Sequence, residues 1–276
     1  MPPEPRSRAT PLHDETRLAV CAADAAAVTA AATLARQLGL PLLPLGATDE
    51  PAAPAGRLLL VLSASRLELR ETGRRAPGAV SADFLGELQR ELSGSGAGRR
   101  RALARAAGLS PGSSLELIDA TAGLGRDAFR LASLGCRVTA VERSPVVAAL
   151  LADGLRRAAA DSRTAATVAD RLRLVTGDAR ELLARLPPPE VVLIDPMYPP
   201  ARKSAAPAKE LRLLRLLLGA DDDAGELLAV ARHVALRRVV VKRRAHDPPL
   251  GGARPDLTWP GRSTRFDVYL SPHLGK

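Results

Sequence analysis

The fold is decided by residues 115–142, which read LELIDATAGLGRDAFRLASLGCRVTAVE. The stretch begins with an apolar run, 115–119, which predicts a buried strand. Gly123 and Gly125 follow that strand and precede a helical segment. Glycines at this place let the backbone approach a ligand closely. A second strand, 137–142, ends in an acid, so the whole stretch is typical of a strand–helix–strand unit of a parallel sheet.

Strands and helices alternate beyond this stretch, and the alternation predicts the fold class. Further strands are predicted at 172–176, 191–195, 238–242 and 266–270, and further helices from Pro145 onward, at 210–218 and at 225–235. Such alternation predicts an α/β protein whose mostly parallel sheet is covered by helices on both faces. In these sheets ligands bind beyond the carboxyl ends of the strands, so we expect the functional residues there.

The part of the chain before residue 99 predicts a smaller domain. We expect a flexible N-terminus over 1–16, a small α/β domain with its linker over 17–98 and a Rossmann-like domain over 99–276. The linker is Ser93-Gly-Ser-Gly-Ala-Gly98, a composition typical of flexible connections. Within the small domain, strands are predicted at 18–21, 58–62, 67–70 and 79–84, and a helix at 22–38.

Composition restricts the classes of protein to which the chain can belong. Its 276 residues are 46% hydrophobic and 25% charged, which excludes a mainly disordered or collagen-like chain. Two cysteines, Cys21 and Cys136, and four scattered histidines predict neither a disulfide framework nor a metal site. The N-terminus lacks the apolar segment of a signal peptide, and no apolar run reaches about 18 residues. We therefore expect a cytoplasmic protein that does not enter a membrane.

Basic residues predict a polyanionic partner. The formal net charge of +10 favours nucleic acid, although an Arg-rich genome composition would give the same charge. Arg202 and Lys203 follow the fourth strand, Lys242 and Arg243 end the next one, and Arg265 precedes the last. We expect these five side chains to contact RNA phosphates. Taken one by one, each is better explained as a solvated surface charge, and it is their clustering near the predicted site that favours RNA.

The glycine loop and the acid after it predict a cofactor site. Asp119 ends the first strand, Gly123 and Gly125 form the loop, and Glu142 lies 23 residues after Asp119. An acid at the end of the second strand can accept hydrogen bonds from both ribose hydroxyls of an adenosine cofactor. Ala128 completes a G-x-G-x-x-A spacing, so a dinucleotide is an alternative cofactor at this point. A tight strand–helix turn that binds no ligand is a second alternative.

A second candidate for cofactor binding follows the strand at 172–176. Asp178 and Ala179 come directly after Gly177 at its carboxyl end. Asp178 can accept a hydrogen bond from an adenine amino group, or it can cap the helix that follows. The sequence alone favours neither role.

The segment Asp195-Pro196-Met197-Tyr198 indicates the reaction. It brings a carboxylate, a proline and an aromatic ring together where the fourth strand ends. An amino group conjugated with a ring is a poor nucleophile because its lone pair is delocalised. Asp195 and the Pro196 carbonyl can accept its two hydrogens and aim the lone pair at a donor methyl, while Tyr198 stacks on the ring. We therefore expect methyl transfer, with these three residues as the catalytic ones.

Five segments, taken in order, resemble the class I, Rossmann-like S-adenosylmethionine (SAM) methyltransferases. Within that class they resemble the RsmJ family of bacterial small-subunit ribosomal RNA guanine-N2 methyltransferases. The segments are 119–129, 131–136, 141–151, 195–199 and 238–243. The resemblance implies a seven-stranded sheet, SAM as cofactor and no metal. It also implies the exocyclic N2 of a guanine in 16S ribosomal RNA, or in the small ribosomal subunit, as substrate.

The same resemblance assigns residues to the site. It places four residues at positions that contact the cofactor, namely Arg126, Asp127, Glu142 and Arg143. Asp195 aligns with the acid between cofactor and substrate. Asp178 and Ala179 align with two small polar residues, and Tyr198 aligns with a phenylalanine whose stacking face it retains.

Two other functions remain open at the level of the sequence. A methyltransferase of the same fold could act on adenine or on a protein amide, since the Asp-Pro-Met-Tyr loop suits those amines too. The chain could also be a catalytically idle RNA-binding assembly factor, which would keep the basic surface. The acids Asp119, Glu142 and Asp195 favour retained chemistry.

Overall fold

A computed structural model describes residues 18–45, 57–73, 76, 78–94, 97–110, 112–197, 209–219, 221–261 and 263–272 of the chain. Contacts divide the chain into two compact units, which we call the smaller unit (Met1–Val80 and Ala206–Leu217) and the larger unit (Ser81–Ala205 and Leu218–Lys276). The domain boundary expected after residue 98 stays a prediction. No helix in these described ranges has both the length and the apolar composition that crossing a membrane requires.

The smaller unit contains a three-stranded sheet in the order β1-β2-β3. Its elements are β1 (Leu18–Ala22), α1 (Val28–Leu38), β2 (Leu58–Leu62) and β3 (Leu67–Glu71). β1 pairs with β2 in parallel, and β2 with β3 in an antiparallel hairpin. Every residue of β1 is buried, since the strand is apolar throughout, and Cys21 packs with Leu59 and Val61 in the core.

The larger unit is built on one seven-stranded sheet. Its strands are β4 (Glu116–Asp119), β5 (Arg137–Glu142), β6 (Leu172–Thr176), β7 (Val191–Ile194), β8 (Arg238–Arg244), β9 (Leu257–Trp259) and β10 (Thr264–Leu270). Their order is β6-β5-β4-β7-β8-β10-β9, with parallel pairing from β6 to β8 and antiparallel pairing of β10 with both of its neighbours. This confirms the predicted mostly parallel, seven-stranded sheet. The carboxyl ends of β5, β4 and β7 lie side by side.

The other helices are α2 (Phe84–Leu92), α3 (Ala97–Ala107), α4 (Arg126–Ser133), α5 (Pro145–Ala159), α6 (Ala165–Arg171), α7 (Ala179–Leu182), α8 (Lys209–Leu218) and α9 (Ala224–Val234). Of these, α2 and α3 precede β4, and most of α8 belongs to the smaller unit. Local sequence explains where several begin. The Ser144 hydroxyl accepts a hydrogen bond from the Val147 N–H at 3.4 Å, and Pro145 occupies the first helical position of α5, where a missing N–H is tolerated.

Some expectations for the first hundred residues are wrong. The segment at 79–84 is not a strand: Val80 forms a single bridge to Leu69, and the Asp83 carboxylate accepts the Gly86 N–H at 3.0 Å and so caps α2. The helix expected at 22–38 begins only at Val28, because β1 continues to Ala22 and a short 3-10 turn follows it. The sequence reading also missed α2, α6 and β9.

One core cluster of the larger unit lies between the sheet and α9. Ile194 and Val241 from neighbouring strands are fully buried there, and Leu228 and Ala231 of α9 pack against the same cluster. Continuous apolar runs produce this core, because both faces of a parallel sheet are covered. The candidate functional residues therefore lie at the polar carboxyl ends of the strands.

A close approach between α5 and Ala82 gives a stability test. A Cβ added at Gly154 would lie 2.5 Å from the Ala82 Cβ and 3.0 Å from its carbonyl oxygen. Gly→Ala inside a helix ordinarily stabilises by about 1 kcal/mol. At this position we expect the opposite sign, a loss of about 1–3 kcal/mol from overpacking, measured as the free energy of unfolding in urea.

Gly225→Ala in α9 is the matched control. Its added Cβ would meet only ordinary contact, 3.7 Å from the Gly251 Cα, so we expect no loss of stability. A Gly154→Ala protein as stable as the wild type would contradict this packing.

Candidate active site

Glu142 lies at the carboxyl end of β5, next to the glycine loop. One carboxylate oxygen, Oε2, accepts the Gly123 N–H at 2.8 Å, and the other, Oε1, accepts the Ser144 N–H at 2.8 Å. Burial raises the pKa of Glu142, although both backbone hydrogen bonds oppose the shift. The carboxylate is thus held in one orientation, and each oxygen keeps a lone pair for a further donor.

The geometry around the loop fits the adenosine part of SAM. Gly123 has φ +55°, and no heavy atom lies within 4 Å of the position that its Cβ would occupy. Gly125 has φ +75°, but its Cβ would lie 2.6 Å from a Leu151 methyl carbon. Gly123 therefore leaves open space for a ligand, whereas Gly125 permits close packing. Beside that space, the two oxygens of Glu142 match the two adjacent hydroxyls of a ribose.

Lys242 lies between Asp127, on the helix that follows the glycine loop, and Asp195, at the end of β7. Its ammonium donates to Asp127 Oδ2 at 2.7 Å and to Asp195 Oδ2 at 2.5 Å. Burial lowers the pKa of Lys242, but the two carboxylates outweigh that effect and raise it overall. Asp127, which also accepts from Arg130 at 2.7 Å, has its pKa lowered by these cations despite its burial.

The start of the Asp195 loop is fixed by neighbouring residues as well. The Asp195 N–H donates to the Thr121 hydroxyl at 2.6 Å. Two residues further on, the Met197 N–H donates to Asp221 Oδ2 at 2.6 Å, and the Asp221 N–H donates to the Met197 carbonyl at 3.1 Å. Pro196 is buried between these contacts, while 37% of the Asp195 side chain remains exposed. Desolvation raises the pKa of Asp195, and Lys242 opposes that shift.

Other predicted cofactor residues lie around the same edge with protein partners of their own. Arg143 forms ion pairs with Asp221 and Asp223, so it connects the end of β5 to the segment that holds Met197. Arg126 pairs with the buried Glu87 of α2 at 2.9 Å. These contacts position the surrounding chain.

Asp178 and Ala179 lie at the end of β6. The Asp178 carboxylate accepts the Arg180 N–H at 2.9 Å and caps α7, which is one of the two roles left open by the sequence. It also pairs with the Arg180 guanidinium at 2.6 Å. Ala179 is buried. The contact with adenine stays a prediction.

The residues predicted to bind RNA differ in their surroundings. Lys242 is held between two carboxylates, Arg243 is buried and donates to the Pro248 carbonyl, and Arg265 pairs with Asp267 at 2.8 Å. To bind phosphates they would have to exchange these internal partners, so the structure gives their RNA role no support. Three predicted residues lie outside the described residues, namely Tyr198, Arg202 and Lys203.

Sequence reasoning missed three residues that hold the site together. Thr121 and Asp221 fix the Asp195 loop, and Lys242 was assigned to RNA instead of to the carboxylates. The sequence does show that Lys242 follows an apolar run, but not that its strand pairs with the strand that ends at Asp195. Nothing comparable marks Thr121. Among the described residues, no group of three or more potential metal ligands occurs.

A model of the family described as "Putative SAM-dependent methyltransferase" matches residues 48–271. The chain therefore belongs to the SAM-dependent methyltransferases, the class to which its sheet and glycine loop also correspond. A SAM-dependent methyltransferase of known structure from Neisseria gonorrhoeae is 36% identical, with a TM-score of 0.67 over 92% of this chain and 96% of that one. SAM is thus the cofactor.

More similar relatives narrow the family. "Ribosomal RNA small subunit methyltransferase J" from Thioalkalivibrio sulfidiphilus is 47% identical over 93% of this chain and 99% of its own length. The protein of that name from Coxiella burnetii is 45% identical over 92% and 96%, and that from Edwardsiella ictaluri is 50% identical over 77% and 85%. The chain is a member of the small-subunit ribosomal RNA methyltransferase J family, which confirms the resemblance seen in its sequence.

Asp119 provides a test of the electrostatics of the site. Burial, with help from Asp127 and Asp195, raises its pKa from 3.8 to about 8. Between these two values the folded state keeps a proton that the unfolded state has released. The free energy of unfolding should therefore fall as pH rises, by about 1.4 kcal/mol per pH unit. Asp119→Asn removes this dependence. Urea titrations should therefore show the free energy of unfolding of the variant rising relative to that of the wild type between about pH 5 and pH 7.

Asp170→Asn serves as the control, because Asp170 is an exposed carboxylate on α6. Its stability should follow the wild type across the same pH range. Parallel pH profiles for the wild type and Asp119→Asn would show that Asp119 is ionised in the folded protein.

Proposed function

We propose that this protein transfers a methyl group from SAM to the exocyclic N2 of a guanine in 16S ribosomal RNA, in the cytoplasm. The class of substrate is supported by the names of relatives that match nearly the whole chain. The observation that carries the chemistry is the Asp195 carboxylate, which Lys242 holds by one oxygen beside the cofactor loop. Guanine rests on the family resemblance.

The acceptor nitrogen is bound by the Asp195 loop. Lys242 occupies Oδ2 of Asp195, which leaves Oδ1 to accept one hydrogen of the amine. The Pro196 carbonyl accepts the other. Two acceptors placed in this way hold the amine so that its lone pair is less delocalised and points out of the ring plane toward the methyl donor. We assign to Tyr198 the stacking contact with the base.

The cofactor is bound by the opposite half of the site. Glu142 accepts hydrogen bonds from the two ribose hydroxyls, and Gly123 leaves room for the methionine part of SAM. Asp178 and Ala179 lie beside the adenine. When bound, SAM supplies a methyl group on a positively charged sulfur. The Asp127 and Asp195 carboxylates suit that charge, and a positive group near Asp119 would favour its ionised form as well.

The remaining roles follow from these contacts. Arg126 and Arg143 support the cofactor site through Glu87 and Asp221. After transfer the nitrogen carries an extra proton, which leaves to Asp195 or to water. The basic residues after the Asp195 loop, Arg202 and Lys203, contact RNA phosphates in this proposal.

Mapping of modified bases tests the proposal. A strain that lacks the protein should lose one N2-methylguanine from its 16S RNA by mass spectrometry, and the purified protein should restore it with labelled SAM. Asp195→Ala should reduce transfer by at least about a hundredfold, because the amine loses its acceptor. RNA binding should change little.

Asp170→Ala is the matched control, since it removes an exposed carboxylate far from the Asp195 loop in sequence. If the label appears on adenine or on a protein instead, that group is the methyl acceptor and the assignment of guanine is wrong. RNA binding without any transfer by the wild type would establish the assembly-factor alternative.

Lys242 gives a second test, in the pH dependence of the reaction. Lys242→Gln removes the cation that lowers the pKa of Asp195. We expect the acidic limb of the kcat profile to move to higher pH and kcat at neutral pH to fall about tenfold or more, equivalent to about 1.4 kcal/mol. Lys242→Arg keeps the charge and should keep the limb. An acidic limb that stays in place in Lys242→Gln would contradict this role.

A further inference from the structure

The larger unit has an open cavity of about 240 Å³ whose lining includes no residue of the Asp195 loop or of the glycine loop. It is lined by Gly98, Arg101, Ala102 and Arg105 of α3 and by Trp259 and Pro260 at the end of β9. Pockets for drug-sized molecules span roughly 300–1,000 Å³. The size of this cavity therefore suits a single planar group.

The lining combines positive charge with an aromatic face. Arg101 and Arg105 are four residues apart, so both project from the same face of α3, and both are exposed. The Arg105 guanidinium lies over the Trp259 ring, 5.9 Å from its centroid. Within the described part of the chain, neither arginine has a carboxylate at ion-pair distance, in contrast to Arg100, which pairs with Glu91. This charge is available to an anion from outside.

The register of the sheet relates the cavity to the Asp195 loop. Trp259 of β9 pairs with Phe266 of β10, and Phe266 pairs with Lys242 of β8. Paired residues project to the same face, so Trp259 lies in the same row as Lys242, about 10 Å away at roughly 4.8 Å per strand. Arg99 in the first turn of α3 acts electrostatically on Asp195, and the neighbouring Gly98 lines the cavity.

We infer that this cavity binds a nucleotide of the substrate RNA close to the methylated base, with its base against Trp259 and its phosphate on Arg101 and Arg105. Stacking of a base on an aromatic side chain, supported by arginine, is a common way of binding single-stranded nucleic acid. A distance of about 10 Å corresponds to about three stacked nucleotides at roughly 3.4 Å each. The inference rests on the proposed function for its class of ligand, RNA.

Trp259 reports on its own cavity, because the chain contains one tryptophan. Full-length protein is titrated with a short single-stranded RNA copied from the sequence around the methylated guanine. Tryptophan emission and the anisotropy of a labelled copy of the RNA are followed in parallel. We expect emission to be quenched with the same midpoint as the anisotropy. Saturated anisotropy with unchanged emission would overturn the inference and leave the proposed function intact.

Variants test the same site in the reaction. Trp259→Ala should raise KM for RNA about 5- to 150-fold, the range for loss of one stacked base, and should leave kcat nearly unchanged. Trp259→Phe keeps a stacking face and should recover most of the affinity, which also separates lost stacking from misfolding. An unchanged KM in Trp259→Ala would overturn the inference.

Salt dependence tests the phosphate contact. Arg101→Ala should reduce the slope of log K against log salt concentration by about 0.7, the value for one phosphate of a single strand. Arg173→Ala on β6 is the matched control, since it removes an exposed arginine at the opposite edge of the sheet. Equal slopes for Arg101→Ala and the wild type would exclude the contact. If the wild-type protein transferred no methyl group to the RNA, the proposed function itself would be contradicted.

Discussion

The site depends on the Lys242 ammonium that lies between the carboxylates of Asp127 and Asp195. Two carboxylates that share one partner in a poorly hydrated place repel each other strongly, and both can stay ionised only because a cation stands between them. Asp127 belongs to the helix that follows the glycine loop, whereas Asp195 begins the loop assigned to the acceptor. One side chain from a neighbouring strand thus fixes the distance between the cofactor half and the acceptor half.

Asp119 is a carboxyl at the same edge on which Lys242 acts only from a distance. Its oxygen accepts the Thr121 N–H at 3.3 Å, and burial raises its pKa to about 8. A positive group placed beside it would favour the ionised form. A methyl donor whose positive sulfur bound beside Asp119 would thus link its binding to release of the Asp119 proton. Lys242 instead opposes the desolvation that raises the pKa of Asp195, and it helps to lower the pKa of Asp127.

The sequence predicted the part of the site that depends on local pattern. Glu142 and Asp195 were found because each ends an apolar strand, and parallel strands bring such ends to one edge. The Lys242 contact required the pairing of β7 with β8, which no local pattern reveals. The strand predicted at 79–84 shares only Phe84 with α2, and the helix itself was missed, because the cap that Asp83 forms with the Gly86 N–H depends on the local backbone geometry. Assignment of most of α8 to the smaller unit depends on contacts between distant parts of the chain.

Net charge alone was a poor guide to the RNA surface, and the ion pairs explain why. Many arginines have a carboxylate nearby: Arg265, for example, pairs with Asp267 at 2.8 Å, and Arg163 pairs with Asp161 at 2.8 Å. Their charges contribute to the total of +10 but attract a distant anion only weakly, since each pair is nearly neutral from outside. What distinguishes a surface for a polyanion is a group of cations without such partners. The cavity-facing side of α3 meets that criterion within the described residues, and it lies beside the one tryptophan of the chain.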